Sequence, residues 1–232
     1  MKNNRKFNII HEDKDIIVIN KPAGMLSVST DRQSDNTAYR LVNDYMRNKR
    51  GRVWIVHRLD RETSGVMLFA KSERVKLILQ DNWDSMAIAR KYIAVVEGRV
   101  KVPERKITSW LKQTKSLVVY SSNKENDGKL AITNYRILQT SKGYTLVELT
   151  LETGRKNQIR VHMKDIGHSV AGDKKYSAAT NPLNRLALHA SQLTVTHPTT
   201  KKQMKFEADV PESFMRMFKK VQADSSKTNI IT

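Results

Sequence analysis

Apolar positions in this 232-residue chain change period repeatedly, from continuous or alternating runs that suit strands to three-and-four spacings that suit helices. Asp15-Ile16-Ile17-Val18-Ile19-Asn20 reads as a strand, closed by Lys21-Pro22-Ala23-Gly24, where proline and glycine break regular structure. After Asn36-Thr37, the residues Ala38, Leu41, Val42, Tyr45 and Met46 fall at helical spacing, and Gly51 ends the segment. Val53 to Val56 and Val66 to Ala70 are unbroken apolar runs, predicted as buried strands joined by a short loop. Ser72-Glu73 opens a second helix whose buried side draws on Val75, Ile78, Leu79, Trp83 and Met86, and Tyr92 opens the next strand.

From Lys106 to Leu151 the pattern is β. Ser116 to Ser121 and Leu130 to Leu138 flank the polar stretch Asn123 to Gly128, which predicts a hairpin. Tyr144 to Leu151 alternates, with Val147, Leu149 and Leu151 on one face, and a short helix is expected from near Asn157, a good N-cap residue. Gln192 to Thr196 and Gln203 to Glu207 predict another hairpin around His197-Pro198. Residues 211–221 read as a basic helix with Phe214, Met217 and Phe218 inward, and 222–232 as a loose polar tail. No repeat or long linker interrupts the pattern, so residues 1–221 are expected to form one domain with two lobes.

Charge narrows the partners. The chain has 42 Lys+Arg against 23 Asp+Glu, a net charge of +19. The basic residues recur along its length, at Arg47 to Arg52, Arg99 to Lys106, Lys112 with Lys115, Lys174-Lys175 and Lys201-Lys202, as a broad phosphate-tracking surface would require. Charge alone names no ligand, and a merely soluble basic surface or an acidic membrane would also suit it. There is no cysteine to form a disulfide, no apolar stretch at Met1 to Lys6 resembling a signal peptide, and no run near the roughly twenty residues that cross a bilayer. A cytoplasmic protein without a membrane partner is expected. No GxGxxG occurs, and Gly167 to Lys174 misses the phosphate-loop pattern because Asp173 occupies the lysine position, so no nucleotide cofactor is indicated. Six scattered histidines without cysteine or HExxH make no metal site; His162, His168, His189 and His197 read as turn or hydrogen-bonding residues.

The densest cluster of chemistry lies between the two apolar runs, in His57-Arg58-Leu59-Asp60-Arg61-Glu62-Thr63-Ser64-Gly65. One carboxylate stands among arginines on a loop with rigid flanks, a common place for function. By itself Asp60 also suits a turn aspartate paired with Arg58 or Arg61. Ser64 with His57 and Asp60 offers a hydrolase trio only superficially, since all three crowd one loop and GxSxG is missing.

The nine-residue string matches, at every fixed position, the HRLDxxTSG signature of the RluA-type pseudouridine synthases, which convert uridine in RNA to its carbon-linked isomer. Further motifs follow in that family's order: Ala89 to Ala94 with Glu97-Gly98, Gly154-Arg155 to His162, Gly167-His168 with Gly172-Asp173, and Arg185 to Ala190. The chain resembles this family from about Asn8 to about Pro211. The resemblance implies an α+β fold with a large, mostly antiparallel mixed sheet, flanking helices and a basic central cleft. It also implies an isomerase without a cofactor, acting on a stem-loop of ribosomal or transfer RNA. Family members often carry a small S4-type RNA-binding domain ahead of the catalytic part. Here the first family-like strand begins within the first twenty residues, so the catalytic domain is expected to make most RNA contacts itself.

The resemblance also assigns roles. Asp60 is implied as the nucleophile, attacking the ribose carbon or the base, or assisting a glycal route; sequence leaves these three open. Arg160 is implied as the guanidinium that keeps this carboxylate ionised where water is excluded, although a phosphate contact also suits it. Tyr92 is implied as the residue stacking on the uracil and moving a proton, with core packing as its plainer reading. Arg58 is implied to fill the space of the extruded base, against a simple pair with Glu62. His57, Arg155 and Leu188 complete the implied substrate contacts, Leu188 being equally suited to a core. The family usually has histidine where Asn157 stands, so a contact made by that imidazole is in doubt. The rival class is a non-catalytic RNA-binding or RNA-chaperone protein using the same cleft, which would have no need of a buried carboxylate in an anion's path.

Overall fold

The computed structural model describes residues 7–29 and 36–218. β1 (Asn8–Glu12) returns antiparallel along β2 (Ile16–Lys21), the turn being closed by Asp13, whose Oδ1 accepts the amides of Asp15 and Ile16. α1 (Ala38–Arg47) starts where Thr37 caps the amide of Arg40, and it buries Ala38, Val42 and Met46. The short β3 (Trp54–Ile55) leads into the Asp60 loop and then β4 (Ser64–Ala70). All seven residues of β4 are buried, because β2 flanks it on one side while β3 and β10 share the other. α2 (Glu73–Asp81), capped by Ser72, and α3 (Trp83–Met86) bring the chain to β5 (Ala89–Glu97).

β6 (Glu104–Gln113), β7 (Val119–Ser122), β8 (Lys129–Ser141) and β9 (Tyr144–Leu151) follow, then α4 (Gln158–Asp165), a 3-10 turn (Lys174–Tyr176), β10 (Leu188–Thr196), β11 (Gln203–Glu207) and α5 (Glu212–Arg216). The strands form one sheet in the order β1-β2-β4-β10-β5-β9-β8-β6-β7, with β3 added to β4 and β11 to β10. Among the described strands only β4 and β10 pair in parallel. The architecture is α+β on a large, mostly antiparallel mixed sheet, as expected. Ile16 and Val18 of β2 face one apolar cluster and Ile17 and Ile19 the opposite one, while β5, β9, α4 and α5 enclose a third around Val95, Val147 and Phe214. Among the described residues no helix is long and apolar enough to cross a membrane.

Three expectations need correction. Residues 123–128 do not close a hairpin: they join β7 to β8, but each of those strands pairs with β6, which lies between them. β1 and β6 were not anticipated. The terminal helix stops at Arg216, with Phe214 and Phe218 buried, and residues 219–221 of that expectation, like the tail at 222–232, lie outside the described residues. The β10/β11 hairpin pairs as expected, from Gln192 with Glu207 to Thr196 with Gln203.

Candidate active site

Most of the Asp60 loop is held by contacts that explain its residues one by one. The β3–β4 ladder ends at Ile55 and Phe69, and the next free amide, that of Leu68, donates to His57 Nε2 at 3.0 Å. Leu59 is buried, and Ser27 Oγ both accepts its amide and donates to its carbonyl. The amide of Thr63 donates to the Asp60 carbonyl at 3.1 Å, tightening the turn. From beneath, the fully buried Lys21 donates to the carbonyls of Pro22, Met25 and Arg61, and burial pulls its ammonium down to about 8. Ser64 Oγ lies 2.8 Å from His189 Nδ1 and accepts from Arg185. Gly65, with φ +115°, lies where β4 meets β10; a Cβ there would come within 2.1 Å of the Ala190 carbonyl oxygen. Arg58, Arg61 and Glu62 are exposed and Asp60 is half-buried; of these four, Arg58 and Asp60 face a cavity.

The opposite wall comes from the end of β9 and the start of α4. Gln158, not Asn157, folds this turn: its Oε1 accepts from Thr153 Oγ1 and the Arg155 amide, while its Nε2 donates to the Ile132 carbonyl and Thr133. Asn157 does not cap the helix with its side chain. Its backbone is left-handed at φ 55°, its Nδ2 donates to the Tyr176 hydroxyl at 2.9 Å, and its Oδ1 accepts from Arg160 at 3.1 Å. Arg160 is clamped by Asp173 through two hydrogen bonds of 2.6 and 2.7 Å, and its guanidinium lies 4.8 Å from the Tyr176 ring centre. Its Nη1 also reaches Asp60 Oδ2 at 3.3 Å. Burial works against that charge, but Asp173 and then Asp60 outweigh it and hold the guanidinium above its usual range.

Arg58, Asp60, Tyr92, Arg155, Arg160 and Leu188 line one cavity of about 220 Å³. Tyr92 projects from β5 in the middle of the sheet, and burial, with the charge of Asp60 adding and that of Arg90 opposing, pushes its phenol up to about 12. At neutral pH that hydroxyl keeps its proton. Arg58 is exposed and makes no hydrogen bond or ion pair with another described residue, while Glu62 lies 3.7 Å from Arg61. Arg155 is tied by Nε to the Leu130 carbonyl at the rim. His57 stands apart, facing an adjoining cavity with its Nε2 occupied and its ring stacked on Trp83. The sequence reading missed Asp173 as the clamp on Arg160; its only signal was its place in Gly172-Asp173, 13 residues along the chain. His162, His168, His189 and His197 are all hydrogen-bonded, to Ser109 and Thr133, to Glu97, to Ser64 and Ala208, and to the amides of Thr199 and Thr200.

A carboxylate oriented by a clamped arginine in a basic cleft agrees with what the family comparison finds. The family model described as RNA pseudouridylate synthase matches residues 15–165. The chain belongs to the RNA pseudouridine synthases. Its relatives include the uncharacterized RNA pseudouridine synthase YlyB of Bacillus subtilis, 37% identical over 228 residues that cover 93% of this chain and 73% of the relative. The ribosomal large subunit pseudouridine synthase D of Zymomonas mobilis is 33% identical, over 91% of this chain and 71% of that protein. Such relatives place the synthase in the RluA-type family. The solved structure of human RNA pseudouridylate synthase domain containing 4 is 22% identical and superposes with a TM-score of 0.72 over 90% of this chain and 91% of that one, which shows the shared fold. The synthase is therefore an isomerase that acts on RNA.

Proposed function

We propose that this synthase isomerises a uridine in a structured segment of ribosomal RNA in the cytoplasm, using one catalytic domain with Asp60 as its nucleophile. The observation that carries the reading is the arrangement at Arg160: Asp173 fixes the guanidinium, and the same guanidinium presents Nη1 to Asp60 at 3.3 Å. Asp60 is thereby oriented yet not enclosed, since its side chain remains 27% exposed. The ribosomal substrate is supported by the relatives named for the large ribosomal subunit.

The reaction breaks the bond from ribose C1′ to uracil N1 and forms one from C1′ to C5; C5 gives up its hydrogen as a proton and N1 takes one up, with no change of redox state. Asp60 can take C1′ or the base in a covalent adduct, or assist loss of a ribose proton toward a glycal. In each route Arg160 supports the ionised carboxylate, and Leu188 closes the apolar side of the cavity. Tyr92 stacks on the ring; with its phenol near 12 it serves as a proton donor or hydrogen-bond donor and not as a standing base. Arg58, free of partners among the described residues, fills the place the base vacates. His57 and Arg155 act around these, the first by holding the loop and the second at the rim.

The test supplies ribosomal and transfer RNA transcripts carrying tritium at uracil C5. Release of tritium from ribosomal RNA alone is expected. Release from transfer RNA alone would overturn the substrate, and release from neither would overturn the activity.

A further inference from the structure

A second cavity, also of about 220 Å³, adjoins the first and shares Arg58, Tyr92, Leu151 and Gly154 with it. Its remaining wall includes His57, Trp83 of α3, Arg90 of β5 and Gln192 of β10, with apolar side chains of β4 and β10 behind them. The His57 and Trp83 rings are stacked 4.8 Å apart with planes 20° from parallel. Burial, with the charge of Arg90, pushes the His57 imidazole down to about 4, so the pair is uncharged at neutral pH. Flat, neutral aromatic surface is what a nucleobase stacks on, whatever its sequence identity.

Arg90 gives the cavity its charge. The residue is 7% exposed, and its Nε–H is buried with no acceptor among the described residues. Its Nη2 donates to the Glu152 carbonyl, and its ion-pair partner Asp84 lies 3.8 Å away with a side chain 78% exposed. Gly154 lets the guanidinium approach this closely, since a Cβ there would stand 2.9 Å from Arg90 Nη1. A buried guanidinium with no hydrogen-bonded carboxylate leaves positive potential in the wall, and Arg58 at the shared rim adds to it. An isolated anion would use the arginines but leave the aromatic pair without purpose; a nucleotide uses both.

We infer that this second cavity holds the nucleotide adjoining the target uridine in the same RNA strand, with its base against Trp83 and His57 and its phosphate toward Arg58 and Arg90. The inference rests on the Asp60 cavity receiving the uridine. Tyr92, which lines both spaces, then separates two successive bases, and the phosphodiester between them crosses the rim they share.

Binding of three probes, uridine 5′-monophosphate and the dinucleotides UpA and ApU, tests it by NMR titration. One dinucleotide is expected to bind about tenfold more tightly than the mononucleotide, the scale of one stacked base, and to shift the Trp83 indole N–H. Trp83→Leu, which keeps apolar volume in α3, should abolish that gain and leave the mononucleotide affinity unchanged, since Trp83 does not line the Asp60 cavity. Gln192→Trp should do the same by filling the space from β10 with Trp83 intact. Equal wild-type affinity for all three probes, or a gain that survives in both variants, overturns the inference. Tritium release remains a separate readout: activity with equal affinities removes this inference alone, and inactivity on every RNA with the dinucleotide gain intact removes the isomerase reading alone.

Discussion

The two carboxylates around Arg160 live in opposite circumstances. Asp173, with a side chain 1% exposed, grips the guanidinium through two bonds of 2.6 and 2.7 Å; Asp60, 27% exposed, meets it once at 3.3 Å. Asp173 comes from the turn just before the Lys174–Tyr176 helix and also accepts the Tyr176 amide, so both its oxygens are committed. Asp60 comes from the β3–β4 loop and keeps lone pairs for chemistry. The stronger pair is therefore not the reactive one. Two buried charges gain little net stability over apolar packing, but a bidentate fork fixes the plane of an arginine as few contacts can. Here that plane carries Nη1 to the carboxylate facing the cavity.

The harshest way to break the comparison is Asp173→Asn, which keeps the shape and leaves the guanidinium buried without its counter-charge. Removing one partner of a buried pair costs about 3–5 kcal/mol, so the melting temperature should fall by about 10 °C. Turnover should drop by about a hundredfold, as Arg160 loses its orientation. Calorimetry together with tritium release checks both; a melting point within about 2 °C of wild type would show that the fork does not hold the site together.

How much of this was legible beforehand depended on distance along the chain. Asp60, Tyr92, Arg160 and Leu188 could be named because each lies inside a motif with its own spacing, and the structure brings all four to one cavity. The clamp of Asp173 on Arg160 could not be read, because ion pairing follows tertiary packing and leaves no periodic trace. Asn157 was misjudged for a related reason. Its capping propensity is local, and it lost to tertiary contacts: the Oδ1 that would cap accepts from Arg160 instead, while Nδ2 is held by the Tyr176 hydroxyl, which packing delivers from nineteen residues away. In the fold, β2 and β4 were plain as unbroken apolar runs, whereas β6 hides its inward Ile107, Ser109 and Leu111 among charged neighbours. With β6 unseen, the polar turn at 123–128 looked like a hairpin, since turn chemistry reports a reversal and not which strands pair.

A milder disturbance is Asn157→Ala. It removes the bonds to Tyr176 and Arg160, each worth about 1 kcal/mol, and strains a left-handed backbone by about 1–2 kcal/mol more. Turnover should fall by about tenfold. Asn157→Gly should recover part of the stability but none of the turnover, which separates backbone strain from the lost side-chain contacts in a paired denaturation and rate measurement. Full recovery of rate in the glycine variant would mean that the amide does not orient Arg160.

The smallest effect concerns acid. His162 on α4 is fully buried between Ser109 and Thr133, and burial, against a small opposing pull from Asp165, lowers its imidazole to about 4. An unfolded chain binds that proton near pH 6.5, so between pH 6.5 and 4 the unfolded state holds more protons and stability falls as pH falls. The loss attributable to His162 should be about 3 kcal/mol by pH 4. Urea denaturation across that window should show it, and His162→Gln, though weaker at pH 7, should have the shallower acid slope. An identical slope in the variant would place the acid sensitivity elsewhere, with His57 next in line.

The central claim is that the carboxylate left half free by Arg160 does the chemistry. Asp60→Asn tests it most directly, with tritium release and RNA binding measured on the same ribosomal RNA. The account predicts a fall in release of about a thousandfold or more with binding retained, because the amide keeps the shape and loses the nucleophile. Release within tenfold of wild type, from protein free of contaminating synthase, would contradict it.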